Sequence, residues 1–133
     1  MRTVALVSIG AVAVGVFSTW TTDGPVTLNG TQGPNNGWLV LIVAAFALGW
    51  TRSMARGAWV GIVGVLGSAV VIAWTAIESW LDSRDTFGAS AGHGLVLVVA
   101  AGLALGGTAV ASAVDRVQRG RAAQPSGGDR STP

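Results

Sequence analysis

Residues 58 to 80 read AWVGIVGVLGSAVVIAWTAIESW, 23 residues from Ala58 to Trp80 whose only charge is Glu78. At 1.5 Å per residue the stretch reaches about 34 Å as a helix, enough to cross a hydrocarbon core of about 30 Å. On a helical wheel Gly57, Gly61, Gly64 and Ser68 stand at i, i+4, i+7 and i+11 and form one narrow stripe of small residues. Lipid gives helices no hydrophobic reason to associate, so a smooth stripe is how two backbones come close enough for dispersion to hold them. The stretch therefore predicts a transmembrane helix that expects a partner.

The rest of the chain fits that solvent. Of its 133 residues 50% are hydrophobic and 11% charged, and the mean hydropathy is +0.58, whereas soluble domains carry about 25% charged residues. There is no cysteine, which excludes disulfides, thiolate metal sites and thiol nucleophiles. The pI near 11.2 comes with a net charge of only +2 and eight basic residues that are all arginine, so no basic patch points to nucleic acid. The abundance of Ala, Gly, Val and Arg suggests a GC-rich bacterial coding sequence.

Working outward, four spans are predicted, at about 4–20, 37–54, 58–80 and 93–114. The first could also be a signal peptide cleaved after Ser18; a retained helix is favoured, because Ser8, Ala11, Gly15 and Ser18 form a small-residue face and Trp20 reads as an interfacial anchor. Residues 21–37 are a turn-rich loop in which Asn29-Gly30 predicts a small β-hairpin between Val26-Thr27-Leu28 and Thr31-Gln32. Asn36 is the expected cap of the second span. A connection of about half a dozen residues then forces an antiparallel helical hairpin. Residues 81–92 read as a short second outer loop, or as a frayed continuation of the third helix. In the fourth span Gly102, Gly106, Ala109 and Ala113 repeat the spacing of the third, which predicts that the two stripes pack together. Residues 116–133 have the composition of a disordered tail.

Six arginines near span ends (Arg2, Arg52, Arg56, Arg116, Arg119, Arg121) fall on one side and Arg84 on the other. The arginine-rich side is cytoplasmic by the positive-inside rule, so both termini are expected there. Trp20, Trp38 and Trp80 would then form an outer aromatic belt, with Trp50 and Trp59 at the inner boundary. The expected fold is an all-α membrane protein, a bundle of four antiparallel transmembrane helices with a small hairpin in the first outer loop.

Few residues offer chemistry. Glu78 is the carboxylate closest to a span interior, and acids inside membranes are functional candidates; two residues from the belt residue Trp80, its ordinary place is the interface. If the helix sits one turn deeper, Glu78 and Asp82 share a face. His93 could approach Glu78 if the third and fourth helices are neighbours, and Trp74, four residues before Glu78, could stack on a cationic ligand. A lone histidine does not make a metal site, and no phosphate loop, nucleophile elbow or metalloprotease motif is present. No cofactor and no enzymatic activity are expected.

A first span ending at Trp20, an outer loop with Asn29-Gly30 and Asn36-Gly37-Trp38, and three further Ala/Gly/Val spans together resemble small uncharacterised four-helix membrane proteins of GC-rich bacteria and their phages. The resemblance implies a bacterial plasma-membrane setting and no catalytic residue. Span count also resembles the small multidrug exporters, but their essential glutamate lies in the first helix, where this chain has no acid. The expected function is that of a non-enzymatic accessory subunit or homo-oligomeric membrane component, with the lipid bilayer and a second copy or a membrane complex as partners. The alternatives are a small proton-coupled transporter or channel using Glu78 and, more weakly, a phage holin.

Overall fold

The computed structural model describes residues 2–32, 36–87 and 90–123. The chain is mostly helical, with α1 (Arg2–Phe17), α2 (Gly37–Ala55), α3 (Trp59–Phe87) and α4 (His93–Ala122), and three short strands, β1 (Thr19–Asp23), β2 (Val26–Asn29) and β3 (Ser90–Ala91). By length and composition α2, α4 and the Trp59–Asp82 part of α3 can each cross a membrane, whereas α1, at 16 residues, is shorter. The buried core is built from Val12, Val16, Val40, Val65, Ile72, Val98 and Leu105 with many alanines.

Each helix packs on two others: α2 on α3 and α1, α4 on α3 and α1. The contacts run in opposite senses, Gly61 lying against Ser53 and Met54 while Gly64 lies against Trp50, and Gly102 against Ile72 while Gly106 lies against Ala69. These neighbours are therefore antiparallel.

The α2–α3 connection is tighter than predicted. Gly57 adopts φ +73°, its N–H donates to Met54 O at 2.9 Å, and Ala58 N–H donates to Ser53 O at 3.1 Å. This pair of bonds around a left-handed glycine is a Schellman motif, which satisfies the last carbonyls of α2 and reverses the chain. At the start of α2, Asn36 occupies the cap position without a side-chain hydrogen bond; its backbone carbonyl accepts from Leu39 and Val40 instead.

The hairpin exists at a different place. β1 pairs antiparallel with β2 from Asp23↔Val26 to Thr19↔Asn29, so the chain reverses at Gly24-Pro25. Gly24 has φ +55° and proline fixes a negative φ after it, the sign pattern of a type II′ turn. Gly30 is not among the positive-φ glycines, as the predicted type I′ turn would require. Asn29 Oδ1 instead accepts from Thr31 N (3.0 Å) and Thr31 Oγ1 (2.8 Å), an Asx-type turn. Against expectation, β3 adds to the other edge of β1 through Thr21↔Ala91 and Thr22↔Ser90, giving the order β2-β1-β3.

Three further boundaries are corrected. The first helix stops at Phe17 rather than Trp20, where the β-branched Thr19, Thr21 and Thr22 favour a strand. Of the stretch read as an outer loop at 81–92, residues 81–87 continue α3, because no Gly or Pro falls between Leu81 and Phe87. Residues 116–122, assigned to the tail, continue α4, where Arg119 pairs with Asp115 one turn earlier. Residues 33–35, 88–89 and 124–133, which hold the remaining predicted loop breakers and the end of the tail, lie outside the described residues.

Candidate functional site

The small-residue stripes are used within the chain, and each meets a different helix. A Cβ built on Gly61 would lie 2.1 Å from Met54 N, and one on Gly64 would lie 2.5 Å from the Trp50 ring. The α3 stripe thus serves α2 rather than the α4 stripe. Gly57 is consumed by the turn, and Ser68 is buried with its hydroxyl donating to Gly64 O at 2.8 Å. On α4, a Cβ at Gly102 would come 3.3 Å from Ile72 Cγ2, Gly106 has only ordinary contact with Ala69 at 3.5 Å, Ala109 is fully buried and Ala113 packs on the core edge. The predicted pairing of two matching stripes is corrected: Gly61 admits the α2 backbone and Gly64 the Trp50 ring, and α4 instead presses on Ala69, Ile72 and Ala73.

The chemistry-bearing candidates lie elsewhere. Glu78 is exposed and lines a shallow groove with Trp74, Ile77, Leu81, Asp82 and Asp85, all on one face of α3. Glu78 and Asp82 do share that face. Trp74 is 67% exposed. His93, also exposed at the first residue of α4, is not among the residues lining that groove. Next to Glu78, Ser79 and Trp80 turn the other way, and Ser79 Oγ and Trp80 Nε1 are buried without a hydrogen-bond partner. Among the described residues no ionisable side chain is buried, and no three His, Asp or Glu side chains stand together as a metal site would need. The buried polar residues are serines and threonines, several of which, such as Thr51 to Ala47 O at 2.8 Å, return their hydroxyl to their own helix.

Two features were not legible as sites. At the sheet end Trp20 is fully buried instead of belonging to an aromatic belt. The register of β1 slips between Thr19 and Thr21, so Trp20 sits in a bulge that re-aims its side chain inward. Its indole donates to Gly15 O at 2.9 Å, and a Cβ on Gly30 would lie 2.5 Å from its ring. Trp80 is also half-buried, which leaves Trp38 as the exposed tryptophan of the predicted outer three. At the opposite end Arg116 lies over Trp59, with Cζ 5.6 Å from the ring centroid. The signal for Trp20 was the run Thr19-Trp20-Thr21-Thr22, which has strand character. For Arg116 there was none, because Trp59 is 57 positions away in the chain.

No protein-family model, curated protein or solved structure matches the chain.

Proposed function

We propose that the chain is an integral membrane protein of four transmembrane helices in an antiparallel bundle, acting as a non-enzymatic component of the bacterial plasma membrane. The observation that carries this reading is the inverted distribution of size. Large apolar side chains on all four helices point outward, among them Val7, Val14, Ile42, Phe46, Val63, Val70, Leu103 and Val110, while glycine, alanine and hydroxyl residues fill much of the interior. Water would make such a surface an aggregation site, whereas hydrocarbon solvates it at no cost. The 16 helical residues of α1 reach about 24 Å, and β1 continues the path. Its backbone is paired by β2 and β3, and Trp20 and Thr21 are buried in the protein, the setting in which non-helical backbone is tolerated at membrane depth.

Within that class, a structural or accessory role fits better than transport. A transporter would need Glu78 to reach an interior path, and it is exposed; a holin reading has no residue of its own to rest on. With both termini assigned to the cytoplasm, the sheet closes the outer end. Gly61, Gly64 and Gly102 are already occupied inside the chain. An accessory subunit or homo-oligomer would therefore use the open apolar groove of about 430 Å³ between α3 and α4, lined by Leu66, Val70, Trp74, Leu103, Gly106 and Gly107. Photo-crosslinking from Leu103 in native membranes tests this. An adduct with a second copy or a defined membrane protein is expected, and a chain that crosslinks to lipid alone refutes the role.

A further inference from the structure

We infer that the α2–α3 turn and α4 together form a headgroup site for an anionic phospholipid of the cytoplasmic leaflet. The inference rests on the membrane reading above. Three arginines come from the elements that form this corner, and among the described residues none of the three is in an ion pair. Arg52 stands in the last turn of α2 and Arg56, four positions on, is its C-cap residue, and both are exposed. Arg116 comes from α4: a Cβ on Gly57, the residue after Arg56, would lie 3.0 Å from Arg116 Nη1. The acid nearest to Arg116 in the chain, Asp115, is engaged by Arg119, and this is the one side-chain ion pair among the described residues.

Like charges one turn apart destabilise a helix in isolation, so a corner that gathers three of them is relieved by an external anion. Arg116 lies over Trp59, and no ion pair engages its exposed guanidinium, which is available for the bidentate bonds that a phosphate accepts. No acid stands in the first turn of α3, so the positive end of that helix adds to the same field. What favours a lipid over free phosphate is the surface beside the corner. Val60 and Val63 follow Trp59 on α3 and are exposed, which offers an acyl chain an apolar track leading away from the headgroup.

Native mass spectrometry of the full chain in detergent, titrated with phosphatidylglycerol or phosphatidylcholine of identical acyl chains, tests the site. Phosphatidylglycerol should be retained roughly a hundredfold better, from about 1 kcal/mol for each of three arginines at an anionic surface, and Arg56→Gln followed by Arg116→Gln should each reduce that preference about fivefold. Arg84→Gln, at the far end of the molecule, should change nothing. Equal retention of the two lipids, or unchanged retention in the double variant, overturns the inference. Displacement of the lipid by millimolar inorganic phosphate does so as well, because it marks a free-phosphate site. If the double variant does not fold, Arg116→Lys decides: the charge remains but the planar fork is lost, so the lipid ratio should fall, and an unchanged ratio counts against the site. Alkaline carbonate extraction separates the two levels. A chain that washes off membranes refutes the membrane reading, whereas one that stays but shows no lipid preference refutes only this site.

Discussion

Gly61→Ala should damage this protein while Gly106→Ala should not, although the two glycines occupy equivalent positions in matching stripes. At Gly61 the added methyl would lie 2.1 Å from Met54 N, 2.5 Å from Ser53 C and 2.8 Å from Met54 Cα. All three are backbone atoms, so no rotamer change relieves the clash. To reach ordinary contact α2 must retreat by about 1.3 Å, which loosens the dispersion contacts along both helices. Overpacking of this kind costs up to about 3 kcal/mol, and the better helix propensity of alanine returns about 1 kcal/mol, leaving a net loss of about 2 kcal/mol. At Gly106 the methyl meets Ala69 Cβ at 3.5 Å, an ordinary contact, so the propensity gain of up to about 1 kcal/mol stands alone. The two variants should thus differ by about 3 kcal/mol in SDS-induced unfolding from mixed micelles, read by far-ultraviolet circular dichroism. Equal midpoints, or a larger loss at Gly106, would refute the close approach of α2 to α3.

Trp20→Phe removes the bond to Gly15 O and part of a fully buried ring, and should cost about 2 kcal/mol in the same unfolding assay; a variant as stable as the parent would show that the ring is not needed to close the sheet end. Single cysteines at Thr27, exposed in β2, and at Ser126 should respectively react with and escape an impermeant maleimide on intact cells, and the reverse pattern would invert the topology. Intact-mass analysis should find residues 1–18 retained, because Ala5, Ser8, Val12 and Val16 of α1 are buried in the core; loss of these residues would leave α4 without a neighbour it packs on. Reconstituted protein should give no proton or cationic-dye flux that depends on Glu78, and a flux abolished by Glu78→Gln would replace the accessory reading with a transport one.

The long apolar runs that became α2, α3 and α4 were readable because a run of about 20 consecutive apolar residues, long enough to cross a hydrocarbon layer, is a property of composition and length alone. The grouping of Arg52, Arg56 and Arg116 at one end follows from the same alternation of runs and loops. Helix ends were less readable. Leu81-Asp82-Ser83-Arg84-Asp85 looks like a loop by polarity, yet nothing in it breaks a helix already propagating, and α3 continues to Phe87.

By itself the sequence determined the number of helices, their apolar character and the presence of smooth stripes, all of which are local in the chain. Which helix each stripe meets was decided by the tertiary structure. The Schellman turn at Gly57 brings α2 onto Gly61 and Gly64, and the antiparallel α4 then takes the remaining face of α3 at Ala69 and Ile72. The fate of Trp20 was decided in the same way. An isolated tryptophan at the end of an apolar run is equally suited to an interface and to a core. Here β2 and β3 pair with both edges of β1, and the bulge between Thr19 and Thr21 turns the ring inward onto Gly15 and Gly30. Those pairings join segments up to 70 residues apart, and no local pattern in a chain encodes a choice among such distant partners.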